Sequence, residues 1–247
     1  MTTNPLNIND SGLPIFNATT GAFSAVAATT KGDLIVHNGT NYTRLGVGAN
    51  NKILLANSGE STGLLWGDLS FTGNWVLVDS AVASSSSSIE FTNLDPALYA
   101  TYFISLVDIH SATDNVSLQC LMSVNNGSSF LSSAYKYVYR IMDTGSGADD
   151  ENHSSSASYI EVADRIGNAA GEGIAGWFWY LPSATPATQL YQSIEWQLYG
   201  QDTGTDLNGY WGGGLNSTTS DVDALQFKFS SGNIESGNFY LYGLEVS

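Results

Sequence analysis

Short runs of β-prone residues, each ended by a turn rich in glycine, serine or asparagine, recur along most of this chain. In Leu225–Phe229, for example, apolar and polar side chains alternate and therefore point to opposite faces of a strand. No segment with helical periodicity longer than about two turns stands out. Regular spacing of about ten such strands predicts an all-β fold, with an antiparallel, jelly-roll-like β-sandwich over residues 71–247.

The connections between these strands are predicted from clusters of small polar residues. They are Ser84–Ser88, Asn125–Ser129, Asp143–Ser156 and Gly200–Gly214. Within the last of them, Gly212–Gly214 is interpreted as a flexible turn, because no Lys-Ser/Thr follows to make it a phosphate-binding loop.

The first 70 residues differ from the rest. Residues 1–30 are small, polar and weakly patterned, which predicts an extended attachment arm, and residues 31–70 carry four short strand signals with a hairpin turn at Asn38-Gly39. Strands of four or five residues cannot enclose a core, so their apolar side chains need partners, and identical neighbouring chains are the economical choice. The predicted interface residues are Leu34, Val36, Tyr42, Leu45, Ile53, Leu55, Leu64 and Trp66.

Charge excludes some classes of partner. The chain has 23 acidic and 7 basic residues, a formal net charge of -16, and the basic residues are scattered. Without a basic patch, neither nucleic acid nor an anionic membrane surface is an expected partner. No apolar run reaches the length of a membrane span.

The N-terminus has no basic residue before Lys31 and no compact apolar stretch, so we do not expect a secretory signal. Cys120 is the only cysteine, which excludes an intrachain disulfide and a thiolate metal cluster within one chain. It lies in an alternating run and is predicted to be a small buried apolar residue. We expect synthesis and assembly in the cytoplasm.

Residues 31–67 resemble the short shaft repeats of bacteriophage tail fibres. The resemblance lies in Lys31-Gly32-Asp33-Leu34, then Asn38-Gly39-Thr40, then Arg44-Leu45, and finally Thr62-Gly63-Leu64-Leu65-Trp66. The downstream region is similar to the β-sandwich modules of phage virion proteins, at Phe91–Leu94 and in the closing stretch Phe229–Leu244. The resemblance implies a homotrimer in the virion, whose N-terminal region contacts other virion proteins.

Motifs for catalysis are missing. His37, His110 and His153 occur in three different contexts without a nucleophile motif, and no Gly-x-Ser-x-Gly or His-Glu-x-x-His sequence is present. We therefore expect a non-enzymatic protein without a cofactor. A pair of carboxylates for glycoside hydrolysis stays open, because their separation cannot be read from sequence.

Two acidic loops could offer oxygen ligands to Ca²⁺. One contains Asp143, Asp149, Asp150 and Glu151, and the other contains Asp202, Asp206 and Asn208. The second lacks the closing glutamate of an EF-hand, so solvated loops are the favoured interpretation. If calcium binds, Asp202 and Asp206 are the candidates.

Aromatic residues near polar loops suggest glycan binding. Trp177 and Trp179 are two apart on a predicted strand and share a face that is expected to be core or subunit interface. The exposed candidates are Tyr210 and Trp211, with Asp206 and Asn208 as hydrogen-bonding neighbours.

Together these features predict a structural protein of a phage virion, a tail fibre or receptor-binding protein that attaches to a bacterial surface polysaccharide. A capsid decoration or head-fibre protein is the first alternative, and a glycan-degrading tailspike-like enzyme is the second.

Overall fold

The computed structural model describes residues 13–17, 22–68, 74–145, 149–183, 191–204 and 206–246, and these form strands and loops without a helix. The all-β prediction is therefore confirmed. The chain divides into two compact units, Met1–Phe71 and Thr72–Ser247. In the first unit the strands are β1 Leu13–Asn17, β2 Ala22–Val26, β3 Leu34–His37, β4 Tyr42–Leu45, β5 Ile53–Ala56 and β6 Leu64–Gly67. In the second they are β7 Trp75–Ser86, β8 Ile89–Phe91, β9 Tyr99–Ser111, β10 Val116–Ser123, β11 Tyr135–Asp143, β12 Asp149–Ala157, β13 Ile160–Ile166, β14 Gly173–Leu181, β15 Ser193–Gln201, β16 Leu207–Asn216, β17 Ala224–Phe229 and β18 Ile234–Glu245.

The described part of the first unit contains three antiparallel strand pairs, β1–β2, β3–β4 and β5–β6. Strands β1 and β2 therefore pair in a region where the sequence predicts an extended arm. Residues 1–12 and 18–21 of that arm lie outside the described part. The predicted hairpin at Asn38-Gly39 is confirmed, since His37 pairs with Tyr42. The Asn38 side chain closes this turn, because its Oδ1 accepts hydrogen bonds from the N–H groups of Thr40 and Asn41.

Two antiparallel sheets form the second unit. The larger has the order β12-β11-β16-β15-β14-β9-β18-β7, and the smaller has the order β13-β10-β17-β8. They pack face to face: Phe227 of the small sheet lies 5.1 Å from Phe178 and 5.9 Å from Phe239 of the large sheet, measured between ring centroids. This is an antiparallel β-sandwich, as predicted. Its connectivity as a jelly roll stays a prediction.

The core between the sheets is rich in tyrosine. Tyr135, Tyr137 and Tyr139 share the inner face of β11, as their spacing predicts, and the first and third are buried. Buried hydroxyls need partners, and that of Tyr135 accepts a hydrogen bond from the N–H of Met122 in the opposite sheet. Cys120 is buried beneath them with no exposed surface, which confirms its predicted role as a small core residue.

Two predicted loops are wrong. Most of the predicted Asp143–Ser156 loop belongs to the edge strand β12, Asp149–Ala157, whose polar sequence suits a strand with one unpaired edge. The second half of the predicted Gly200–Gly214 loop belongs to β16, Leu207–Asn216, an interior strand of the large sheet. Its glycines are not a flexible turn. A Cβ on Gly212 would lie 2.5 Å from Trp196 Cζ2, so glycine makes room for a buried indole.

Candidate functional site

The face of the large sheet that points away from the small sheet, here called the outer face, carries exposed side chains from strands that are far apart in sequence. Pairing between strands aligns them. Trp211 of β16 pairs with Gln197 of β15, which pairs with Trp177 of β14, which pairs with Ser105 of β9. Because directly paired residues point to the same side of a sheet, these four share the outer face.

An aromatic cluster occupies one part of this face and is defined by Trp75, Phe103, Trp177, Trp179 and Tyr242. The Trp179 ring lies 5.4 Å from Trp75 and 5.2 Å from Phe103, both in edge-to-face arrangements. Tyr242 and Trp177 complete the cluster at 6.3 and 6.5 Å from Phe103. Four of these rings, all except that of Trp177, line a depression of about 440 Å³. Trp177 and Trp179 do share a face, as predicted, but that face is the half-exposed outer one and not the core of this chain.

A cleft occupies another part of the outer face, where two cavities of about 240 and 440 Å³ adjoin at Tyr199 and Leu207. Trp211 lines the smaller cavity, together with the polar residues Asp143, Thr144 and Gln197. Tyr199 is 56% exposed and Trp211 is 36% exposed, so both rings offer surface to a ligand.

The larger cavity of the cleft is more polar. It is lined by Asp108, His110 and Gln201, with the backbone of several glycines. His110 Nε2 lies 2.9 Å from Asp108 Oδ1 at the rim. The cleft therefore combines two exposed aromatic rings with carboxylate, imidazole and amide groups, which is the composition of a site for a polar ligand with apolar faces.

A third depression, of about 480 Å³, lies on the same face, between Lys136 and Val138 of β11 and Glu195 of β15. It exists because Gly213 stands between these strands without a side chain; a Cβ placed there would meet no atom closer than 3.7 Å. The outer face is thus uneven, with shallow depressions separated by side chains.

The four predicted glycan-binding residues do not come together. Tyr210 precedes Trp211 on β16 and points inward, where it is 2% exposed and donates a hydrogen bond of 2.6 Å to the Asp164 carbonyl. It is therefore not an exposed stacking platform. Asn208 is also buried, and its Nδ2 donates to Asp202 Oδ2 at 3.2 Å. Asp206 lies in the loop before β16, where its N–H donates to Asp202 Oδ1. Of the four predicted residues, Trp211 therefore supplies the exposed aromatic ring.

The calcium candidates Asp202 and Asp206 lie in one loop, but the Asp202 carboxylate has other partners. Its Oδ1 accepts hydrogen bonds from the N–H groups of Gly204 and Asp206, at 2.8 and 3.0 Å. This carboxylate closes the turn between β15 and β16. Among the residues that the structure describes, no group of three or more acidic, histidine or cysteine side chains could hold a metal ion.

The eight predicted interface residues occupy more than one face of the first unit. Leu34 pairs with Leu45 on one side of the β3–β4 hairpin, while Tyr42 pairs with His37 on the other. In the β5–β6 hairpin, Leu55 and Trp66 point to opposite sides, and both sides are apolar. Ile53 lies on the same side as Leu55, and Leu64 lies on the same side as Trp66. In the β3–β4 hairpin, Val36 lies on the same side as Leu34. The Trp66 indole is engaged within its own chain, since Nε1 donates to the Gly46 carbonyl at 2.7 Å.

Several residues of the outer face are missed by the sequence analysis. They are Trp75, Phe103, Tyr199, Gln197 and Tyr242. Their spacing within each strand shows which neighbours share a face, but not that strands β9, β14 and β18 lie side by side. The exposure of that face also depends on the partner sheet, which the sequence does not reveal.

No protein-family model and no curated protein sequence matches this chain. In the described part of the chain there is no helix of the length and apolarity needed to cross a membrane.

Proposed function

We propose that this chain is a non-enzymatic fibre or receptor-binding protein of a bacteriophage virion, which attaches to a surface glycan of the host bacterium through the cleft of its sandwich. The observation that carries the proposal is the pair of exposed rings, Trp211 and Tyr199, beside polar side chains on an open sheet face. The virion assignment is supported by the resemblance of residues 31–67 to tail-fibre shaft repeats.

The chemistry of the cleft suits a sugar. A pyranose ring has apolar C–H faces, which pack on aromatic rings, and hydroxyl groups at its edge, which need donors and acceptors. Trp211 and Tyr199 offer the first kind of contact, and Asp143, Gln197 and Gln201 are placed for the second. Because the cleft is shallow and open, one site is expected to bind weakly.

Weak sites are effective when several act together. Three copies joined by a shaft would present three clefts at high effective concentration to a repeating polysaccharide, which raises the overall affinity without new contacts. With a net charge of -16, the protein would repel strongly anionic polysaccharides. We therefore expect neutral or amino-substituted glycans to bind best.

A panel of bacterial envelope glycans tests this proposal. The full chain should bind at least one neutral or amino-substituted glycan, and Trp211→Ala and Tyr199→Ala should each weaken that binding. Val138→Ala is a matched control, because Val138 is 57% exposed on the same sheet face but lies outside both the cleft and the aromatic cluster. If the unmodified protein bound no glycan, the receptor role would be contradicted and the decoration role favoured.

The location on the particle is a separate question. Antibody labelling of phage particles, viewed by electron microscopy, should place the chain on the tail. Labelling of the head would favour the decoration or head-fibre role. Mass analysis of any bound glycan after incubation should find it intact, since shortened chains would indicate a hydrolase.

A further inference from the structure

The aromatic cluster differs from the cleft because no carboxylate, imidazole or amide side chain lines its depression. Its depression is lined by Trp75, Phe103, Trp179 and Tyr242, and the one other lining residue is Ser105. The polar groups of its lining are the hydroxyls of Ser105 and Tyr242 and two indole N–H groups, fewer than the hydroxyl groups of a buried sugar need. Each hydroxyl left without a partner would cost about 1–3 kcal/mol. The cluster therefore suits an apolar partner surface better than a glycan.

The cluster is large for an exposed feature. Trp75 is 44% exposed and Leu77, which pairs with Tyr242 on the same face, is 54% exposed. With the half-buried rings beside them, these side chains form one contiguous apolar patch; the largest such patch on a soluble protein is typically about 300–600 Å² and often marks an interaction site. Stable interfaces bury about 800 Å² per partner, so this patch could form the apolar centre of one, with a polar rim around it.

Charge indicates which partner fits. The chain carries -16 overall, so two copies repel each other over most of their surfaces. None of the five residues that line the depression has an ionisable carboxylate or a basic group. Contact between copies at this place brings no like charges of the two linings together, and it lets aromatic rings meet rings in the edge-to-face geometry that they already adopt within one chain.

We infer that the aromatic cluster is the surface through which the sandwich of one copy packs against the sandwiches of other copies of this chain, around a shared symmetry axis. The inference rests on the oligomer in the proposed function and names the surface that joins its C-terminal parts. One patch per copy is sufficient, because in a cyclic trimer all three patches can face the axis.

Cross-linking of the full chain tests this inference. Ser105→Cys places a thiol inside the cluster, and Ser231→Cys places one in the exposed turn between β17 and β18 as a matched control. The native Cys120 is fully buried and should not react. A short bifunctional maleimide should link Ser105→Cys into covalent dimers, the largest product that one reactive thiol per chain allows, and leave Ser231→Cys as single chains on a denaturing gel.

Two results would overturn the inference. In the first, Ser105→Cys reacts completely with a monofunctional maleimide while no interchain link forms, which would mean that the cluster faces solvent. In the second, no interchain link forms and the thiol stays protected even in chains diluted until light scattering gives monomers, which would mean that the cluster is covered by another part of its own chain. Either result could occur in a protein that is oligomeric through its first unit and binds glycans, so the proposed function would stand.

Removal of a ring provides a second measurement. Phe103→Ser in the Ser105→Cys background should reduce the cross-linked fraction at least severalfold, since Phe103 contacts four other rings. Trp211→Ser in the same background should leave cross-linking unchanged, because Trp211 lies in the cleft. Circular dichroism at each step checks that both variants are folded. A folded Phe103→Ser variant with undiminished cross-linking would contradict the inference.

Discussion

The Trp211 indole lies against the backbone of Gly209, two residues earlier on the same face of β16. A Cβ placed on Gly209 would come within 2.6 Å of Trp211 Cη2, so the ring rests where any other residue would have a side chain. Tyr199 pairs with Gly209 on the neighbouring strand. The glycine thus lets the indole lie along the sheet beside Tyr199, with its other surface available to a ligand.

Gly209→Ala should therefore displace the Trp211 ring and weaken glycan binding. We expect a loss on the order of 1 kcal/mol, or about fivefold in affinity, with little change in stability, because the ring can swing outward. Isothermal titration with a bound glycan measures this. Gly213→Ala is the control, since a Cβ there meets open space on the same face of the same strand. Equal affinity of the two variants would contradict a role for the ring position.

The fold class could be predicted from the sequence because alternation and turn residues are local signals. Most strands of the sandwich follow from them, but β16 does not, since Gly212 is required by a ring on another strand, Trp196. The burial of Tyr210 also depends on contacts with residues outside its own strand. Local sequence places Tyr210 and Trp211 on opposite faces of a strand, but only tertiary packing determines which face is covered.

The cleft was harder to predict than the fold. Trp211 was identified from its polar neighbours, whereas Tyr199 becomes its partner only through pairing between β15 and β16. The aromatic cluster likewise needs β14, β9, β18 and β7 in that order. Such neighbours are separated by long stretches of sequence, and no local pattern gives their order.

Asp33 of the Lys-Gly-Asp-Leu sequence organises the first unit. Its Oδ2 accepts hydrogen bonds from the N–H groups of Thr29 and Thr30, its Oδ1 accepts one from Val47, and Arg44 Nη1 lies 3.2 Å away. Desolvation alone would raise the pKa of this carboxyl, but the three backbone donors and the Arg44 charge together lower it below its ordinary value.

A lowered pKa in the folded state means that Asp33 stabilises the first unit above the ordinary carboxyl pKa of 3.8, and that this contribution disappears as the pH falls through the lower folded value. Asp33→Asn should destabilise the first unit at neutral pH and remove this acid dependence. Hydrogen exchange of the Thr30 and Val47 amides at neutral and acidic pH measures the effect locally. Unchanged protection in Asp33→Asn would contradict the prediction.

Cys120 should be unreactive in the folded protein. It pairs with Phe227 and Ile160 on the two neighbouring strands, and burial raises the pKa of its thiol far above the ordinary value. A thiol reagent should label it only in denaturant. Cys120→Ala should cost little, while Cys120→Ser should destabilise the sandwich by about 1–3 kcal/mol, because it buries a hydroxyl among apolar side chains. Rapid labelling of the native protein would show that the core opens at this strand.

Alkaline pH should unfold the sandwich because of its buried tyrosines. Desolvation raises the pKa of Tyr102 from 10.0 to about 12, and the same cause raises the pKa of Tyr135, Tyr180 and Tyr210. In the unfolded chain these hydroxyls ionise near their ordinary pKa, so the unfolded state loses protons first as the pH rises. The stability from these groups is therefore fully present below about pH 10 and decreases above it, by up to about 1.4 kcal/mol per pH unit for each tyrosine.

Urea unfolding at a series of alkaline pH values measures this fall, and the ultraviolet absorbance of tyrosinate reports the ionisation. The unfolding and the ionisation should occur together, because the core must open before a buried hydroxyl can lose its proton. The Tyr180 hydroxyl, for example, donates a hydrogen bond of 2.9 Å to the Val222 carbonyl. Tyr180→Phe should lower stability at neutral pH and make the alkaline fall shallower, because one hydroxyl fewer ionises on unfolding. If tyrosinate formed completely while the sandwich stayed folded, the hydroxyls would have to be accessible to solvent, contrary to their burial.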